Sequence, residues 1–144
     1  MSLKKRILNN HILAICIGLV YFWFGILKFF PGLSPAESLA KDTITILTFN
    51  LIPPEISILL LALWETLVGL MLILNVYRRP TLYFMLVHVA FTFTPLFFFT
   101  NQSFTTPPYA FTLLGQYIFK NIIIIGAFWT LHKQLKPPSL KNIF

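Results

Sequence analysis

The sequence predicts an all-α fold: a four-transmembrane-helix bundle with a short amphipathic helix in the first outer loop. Three observations carry this reading. The 144 residues are 57% hydrophobic and only 10% charged, whereas a soluble domain carries about 25% charged residues. Apolar runs long enough to cross lipid recur over about 8–30, 55–77, 81–100 and 113–132. The basic residues that give a formal net charge of +7 mostly flank those runs, which is a topology signal and not a nucleic-acid footprint. The chain, 1–144, therefore reads as a single integral membrane domain whose first partner is the lipid bilayer, with no nucleic acid.

The first span opens with Lys4-Lys5-Arg6, as a signal peptide does, but its apolar run reaches Leu27 with no small-residue cleavage site after it. His11, Ala14, Gly18, Tyr21, Gly25 and Lys28 recur at steps of three and four and form one stripe. Small residues let helices approach and polar ones are tolerated only toward the bundle interior, so this stripe faces inward. Leu13, Leu19, Phe24 and Ile26 then face lipid. Cys16 is the only cysteine, which excludes a disulfide or a Cys-x-x-Cys pair and argues against thiol redox chemistry. Its apolar neighbours predict a buried thiol.

Pro31-Gly32 ends the first span, and Ser34-Pro35-Ala36-Glu37 has the form of a capping box with proline at the first helical position. A helix over about 34–50 follows, with Ala36, Ala40, Ile44, Leu47 and Leu51 on one stripe and Lys41 and Asp42 opposite. Such a segment lies at the membrane surface or over the bundle mouth. In the second span Ala62, Glu65, Thr66 and Gly69 share a face. Arg78-Arg79-Pro80 makes a basic turn into the third span, where His88, Thr92 and Pro95 line one side. A Ser-, Thr- and Pro-rich loop covers 101–112. The fourth span begins with Gly115-Gln116-Tyr117-Ile118-Phe119-Lys120-Asn121, a polar patch opening an apolar run, and Tyr77, Tyr83 and Trp129 sit near helix ends as an aromatic belt does.

Eight Lys and Arg residues belong to the N-terminus, the Arg78-Arg79 turn and the C-terminus, against Lys41 alone in the two other loops. Both termini are therefore expected in the cytoplasm. At about 1.5 Å per residue, Glu65, His88 and Lys120 fall within roughly one or two turns of the midplane. A lone charge there costs at least ~2.5–3.5 kcal/mol. Mutual pairing of Glu65 with Lys120 would remove most of that cost. Lys28, Glu65, His88, Gln116, Tyr117, Lys120 and Asn121 are compatible with one polar pocket opening outward. A purely structural ion pair that fixes helix register, with His88 bonded to a carbonyl, accounts for the same residues. No metal-ligand spacing and no recognisable catalytic constellation is present, so whether the chain is an enzyme stays open.

Three stretches resemble one family. Tyr21-Phe22-Trp23-Phe24-Gly25-Ile26-Leu27-Lys28-Phe29 looks like the first-helix signature of the DoxX-like membrane proteins, and Leu63-Trp64-Glu65-Thr66-Leu67-Val68-Gly69-Leu70 is similar to their second-helix glutamate–glycine pattern. The patch from Gly115 to Asn121 resembles their final-helix motif. The resemblance implies a four-helix bundle in the bacterial cytoplasmic (inner) membrane, in a family with members tied to quinone-linked sulfur oxidation or to oxidative stress. Two readings follow. In one, the chain is a redox- or quinone-associated membrane subunit: a small polar or quinone-like headgroup from the outer leaflet binds in the outer half, Lys120 and Tyr117 donate hydrogen bonds, Glu65 or His88 moves protons, and a redox partner protein supplies electrons. The chain itself then carries no cofactor. In the other, it is a non-enzymatic assembly subunit of a larger complex or a small-molecule carrier, with Gly18, Gly25 or Gly69 serving packing within or between protomers of a homo-oligomer. A vitamin-K-reductase-like activity is disfavoured by the missing Cys-x-x-Cys.

The charge asymmetry makes a topological prediction. In a Cys16→Ser background, a cysteine placed at Asn101 should react with an impermeant thiol reagent from outside intact cells and one at Arg79 should not; the reverse pattern would refute the orientation.

Overall fold

The computed structural model describes residues 3–135, with side chains described from His11 onward. The tail from Lys136, with Pro137-Pro138 and Lys141, lies outside the described residues, as do the Lys4, Lys5 and Arg6 side chains. The fold is mostly helical. In chain order the elements are α1 (Leu3–Leu27), α2 (Glu37–Leu47), α3 (Pro54–Ile73), α4 (Arg78–Thr92), α5 (Pro95–Phe98), α6 (Thr100–Ser103), a hairpin of β1 (Phe104–Thr106) and β2 (Ala110–Phe111), α7 (Leu113–Phe119) and α8 (Ile122–Gln134). Three helical stretches are long and apolar enough to cross a membrane: Pro54–Ile73, Arg78–Phe98 and Leu113–Gln134. The apolar part of α1, His11–Leu27, is shorter.

The core forms where four helices turn their small or branched faces together. Ala14, Ile17 and Tyr21 of α1 meet Val68 and Leu72 of α3, Leu82, Met85 and Val89 of α4, and Ala127, Phe128 and Leu131 of α8. The closest approach is between α1 and α3, and glycine makes it possible. A Cβ on Gly69 would stand 2.5 Å from the Phe22 nitrogen, and one on Gly25 would stand 2.6 Å from the Thr66 nitrogen. Any side chain there would push the backbones apart. Because Gly25 sits against Thr66, the end of α1 lies level with the middle of α3. The turn after α1 and then α2 fill the space beside the first half of α3, where Ser57 and Ile58 are buried.

Several local expectations are corrected. α2 starts at Glu37 with Ala36 at the N-cap and no side-chain cap, so the capping box does not form. The Glu37 carboxylate instead accepts from Lys41 Nζ at 2.7 Å and from the Gly32 N–H at 2.8 Å. The Lys41 hydrogen bond, then that of Gly32, hold its carboxyl below the ordinary glutamate value. Ser34 is buried, and Leu51 is exposed, outside the apolar stripe of α2. Cys16 is exposed and not buried, because the inward stripe at Ala14, Gly18 and Tyr21 turns position 16 to the opposite side. Leu13, expected to face lipid, is partly buried against the core.

The helical stretches Arg78–Phe98 and Leu113–Gln134 are both interrupted. Pro95 has no N–H to give, and around it Phe93, Thr94 and Leu96 donate to carbonyls three residues back. In the last helix Asn121, Ile123 and Ile124 do the same, separating α7 from α8 at Lys120-Asn121. The 101–112 loop is ordered: Phe104 stacks on Phe111 and Phe111 on Phe119, at 4.8 and 5.0 Å between ring centroids. Ser103 is fully buried, and its carbonyl sits where a Cβ on Gly115 would have to go. At the other end of the molecule Arg79 Nη2 donates to the Leu135 carbonyl at 2.6 Å, tying α4 to the end of α8.

The glycine contacts predict opposite responses to the same substitution. Gly69→Ala should lower the melting temperature of the detergent-solubilised protein, by the equivalent of ~1–3 kcal/mol of overpacking. Gly126→Ala, where an added Cβ meets nothing within 4 Å, should raise it slightly, by about 0.5–1 kcal/mol of backbone entropy. Equal responses would show that α1 and α3 do not meet at glycine.

Candidate functional site

Glu65 is where the buried faces converge. It projects from the middle of α3 on the face it shares with Ala62 and Gly69, toward the end of α1 and toward α4. Lys28 is the first residue after α1, in a turn whose Lys28 N–H bonds to the Gly25 carbonyl at 3.2 Å. From there its Nζ reaches Glu65 Oε2 at 2.6 Å, and both side chains are only 8% exposed. From α4, His88 Nε2 meets the other oxygen, Oε1, at 3.1 Å. The two oxygens of one carboxylate are thus held by groups from two other helices.

The chain of contacts continues inward. His88 Nδ1 lies 3.1 Å from the Tyr21 hydroxyl, with the two rings edge to face at 5.3 Å. That hydroxyl also reaches the Met85 carbonyl at 3.4 Å. Tyr21 has one proton and two acceptors within reach, so the imidazole's state decides which is used. With neutral His88, Nε2–H donates to Glu65, Nδ1 accepts from Tyr21, and the Met85 carbonyl is given up. With cationic His88 both ring N–H groups donate, to Glu65 and to the Tyr21 oxygen, and the hydroxyl turns to Met85. Every polar atom has a partner in either state, so a proton can be gained or lost here without stranding a buried group.

The network forms the polar floor of a cavity with two adjoining lobes of about 170 and about 200 Å³. Lys28, Glu65, His88, Thr92, Tyr117 and Asn121 border both. The remaining walls are largely apolar, with Val20 and Phe24 of α1 in the first lobe and Leu39, Ile44 and Leu47 of α2 in the second. Asn121 Nδ2 donates to Thr92 Oγ1 at 3.1 Å, joining the interrupted stretches of α4 and α7–α8 beside the cavity. Lys28 makes one strong hydrogen bond and a long one, 3.4 Å, to the Phe24 carbonyl. Its ammonium carries three protons, so a donor remains for a guest. No group of three His, Cys, Asp or Glu side chains that could hold a metal occurs among the described residues.

Five of the seven residues singled out from the sequence come together here: Lys28, Glu65, His88, Tyr117 and Asn121. Gln116 and Lys120 do not. Leu114, Tyr117, Ile118 and Asn121 share the inward face of the last helix at steps of three and four, which turns positions 116 and 120 outward, where both are exposed. The Glu65–Lys120 pair is therefore corrected to Glu65–Lys28. Lys120 Nζ instead rests over the Tyr117 ring, 5.4 Å from its centroid. Two participants went unsingled: Tyr21, although it stands two turns before Lys28 on the inward stripe, and Thr92, noted as inward but given no partner.

A family model described as DoxX matches residues 11–101. That stretch carries Lys28, Glu65 and His88 and stops before α7, so Tyr117 and Asn121 lie beyond it. No curated protein and no solved structure matches the chain.

The geometry predicts which lysine answers Glu65. Glu65→Gln and Lys28→Met should each cost about 3–5 kcal/mol, the usual result of leaving one charge of a buried pair uncompensated. The double substitution should recover much of that loss, while Lys120→Met stays within ~0.5 kcal/mol. Melting of the purified variants reads this directly, and a large loss from Lys120→Met with none from Lys28→Met would overturn the assignment.

Proposed function

The chain belongs to the DoxX family, and from that premise we propose that it is a four-span membrane subunit whose outer half binds a quinone-type headgroup. The spans are α1, α3, α4 with α5, and α7 with α8, with α2 at the outer surface. His11–Leu27 covers about 26 Å at 1.5 Å per residue, close to the hydrocarbon thickness. The basic residues at the N-terminus, at Arg78-Arg79 and at the C-terminus support cytoplasmic ends in a bacterial inner membrane.

The observation that carries the ligand reading is a proton-handling chain, Tyr21–His88–Glu65–Lys28, laid along the floor of a largely apolar cavity. An apolar cavity of about 150 Å³ accommodates benzene, so either lobe has the size for one substituted ring. Converting a quinone to a quinol takes up two electrons and two protons. Lys28 has a free donor for a ring oxygen, His88 can take up or release a proton beside Glu65 while the Tyr21 hydroxyl turns and keeps its own, and Asn121 and Tyr117 fix orientation. The site supplies proton transfer and positioning, and the electrons are assigned to a partner protein.

A second reading, an assembly subunit within a larger membrane complex, has its own support. Gln116 and Lys120 place an amide and a cation on the outward face of the last helix at membrane depth, where a lone polar group is expensive and a neighbouring chain would relieve it. The two readings are compatible, since the electron donor is itself a partner.

Titration of the nanodisc-embedded protein with a short-tailed benzoquinone, followed by calorimetry, tests the first reading. Saturable binding is expected, weakened about tenfold by His88→Gln or Asn121→Ala, equivalent to ~1.4 kcal/mol. Binding that does not saturate, or that neither substitution alters, would leave the cavity without this role.

A further inference from the structure

The two lobes differ in what surrounds their openings. The second lobe is roofed by α2, whose Leu39, Ala40, Thr43, Ile44 and Leu47 line it from above. The first lobe reaches the surface sideways, between α1 and α7. α1 packs chiefly along α3 and α7 chiefly against α6 and β2, and the first lobe occupies the cleft between α1 and α7, bordered also by Ser34, Pro35 and Ala36 of the turn before α2. Its lips are Val20 and Phe24 on one side and Leu114 and Tyr117 on the other. Val20 and Tyr117 are each 49% exposed and Phe24 is 38% exposed, although all of them border the cavity. These lips belong to helices read above as membrane spans, so the surface they share faces hydrocarbon and not water.

We propose that this cleft is an intramembrane window through which the site receives its ligand from the bilayer, and that the ligand is a ring-headed amphiphile whose apolar tail stays between the 20–24 segment and residues 114–117. The inference rests on the headgroup reading above and specifies the substrate's class and route. Polarity is distributed as such a guest requires. The groups with a donor left for a ring oxygen, Lys28 and Asn121, lie inside the cavity, and Val20, Phe24, Leu114 and Tyr117 at the lips offer only apolar side chains and one tyrosine. A water-borne polar solute would gain nothing from those lips. A tailed ligand entering here keeps its tail in lipid and exchanges only its head into the cavity. Tyr117 is placed to gate the passage: it borders both lobes, stands half exposed at the rim, and carries Lys120 over its ring on the outer side.

The test uses two probes on the whole protein in nanodiscs, a benzoquinone with a decyl tail bearing a diazirine near its end, and the same ring without a tail. Photolysis followed by peptide mass spectrometry should show saturable labelling in the 20–24 and 114–117 segments. Val20→Trp narrows one lip while leaving the lipid-facing surface apolar. It should weaken the tailed probe about tenfold and leave the tailless ring unchanged. Saturable labelling that falls on α2 instead, or a tailed probe indifferent to Val20→Trp, would overturn the window and leave the headgroup site standing. Failure of both probes to bind saturably in the unsubstituted protein would overturn the headgroup reading and the window together.

Discussion

A carboxylate in the middle of a membrane helix must be answered by other groups, and the arrangement of this protein follows from how Glu65 is answered. One oxygen takes Lys28 from the end of α1 and the other takes His88 from α4. Three helices are thereby fixed in rotation and in height by a single side chain. Hydrophobic packing alone does not do this between helices in lipid, because lipid tails are as apolar as leucine. The cost of leaving any one of the three groups unpaired makes other registers unfavourable.

The pairing depends on the glycine contacts between α1 and α3. Gly25 against Thr66 and Gly69 against Phe22 bring the two backbones close enough for a lysine just past α1 to reach a glutamate in mid-helix. The same contacts leave α1 ending beside the middle of α3, so the half of the bundle that holds Lys28 lacks one helix. α2 and the turn before it fill that volume incompletely, and what is left over is the cavity. The site is in this sense the space left by a helix that ends early, with the ion pair that fixes the helix forming its floor. The interruptions at Pro95 and at Lys120-Asn121 lie beside the same volume, with Asn121 and Thr92 bonded to each other across it.

Much of this was legible in the sequence. The inward stripe of α1 from Ala14 through Gly18 to Tyr21 and Gly25, and the face of α3 bearing Ala62, Glu65 and Gly69, follow from spacing alone, because helical periodicity and the scarcity of polar residues point the same way. Lys120 was misread for a reason that is equally physical. Depth along a helix can be counted from its ends, but rotation about its axis needs a second reference. In the last helix the polar residues Gln116, Tyr117, Lys120 and Asn121 lie on two faces, and only packing chooses between them. Lys28 was the opposite case: its rotation on the stripe was clear, but its height was not, because nothing in the sequence fixes how far α1 slides along α3. Cys16 and the missing cap at Ser34 are local examples of tertiary contacts overriding local pattern.

The bundle is organised around an ionised Glu65 held by Lys28 and His88, with the Tyr21 hydroxyl keeping its proton behind the imidazole. Infrared difference spectroscopy of the lipid-reconstituted protein, comparing the unsubstituted chain with Glu65→Gln near neutral pH, addresses that state without requiring a ligand. The account predicts that the substitution removes an ionised carboxylate band and that the spectrum shows no loss in the protonated carboxyl region. Loss of a protonated carboxyl band instead would mean that Glu65 is neutral and that no ion pair organises the bundle.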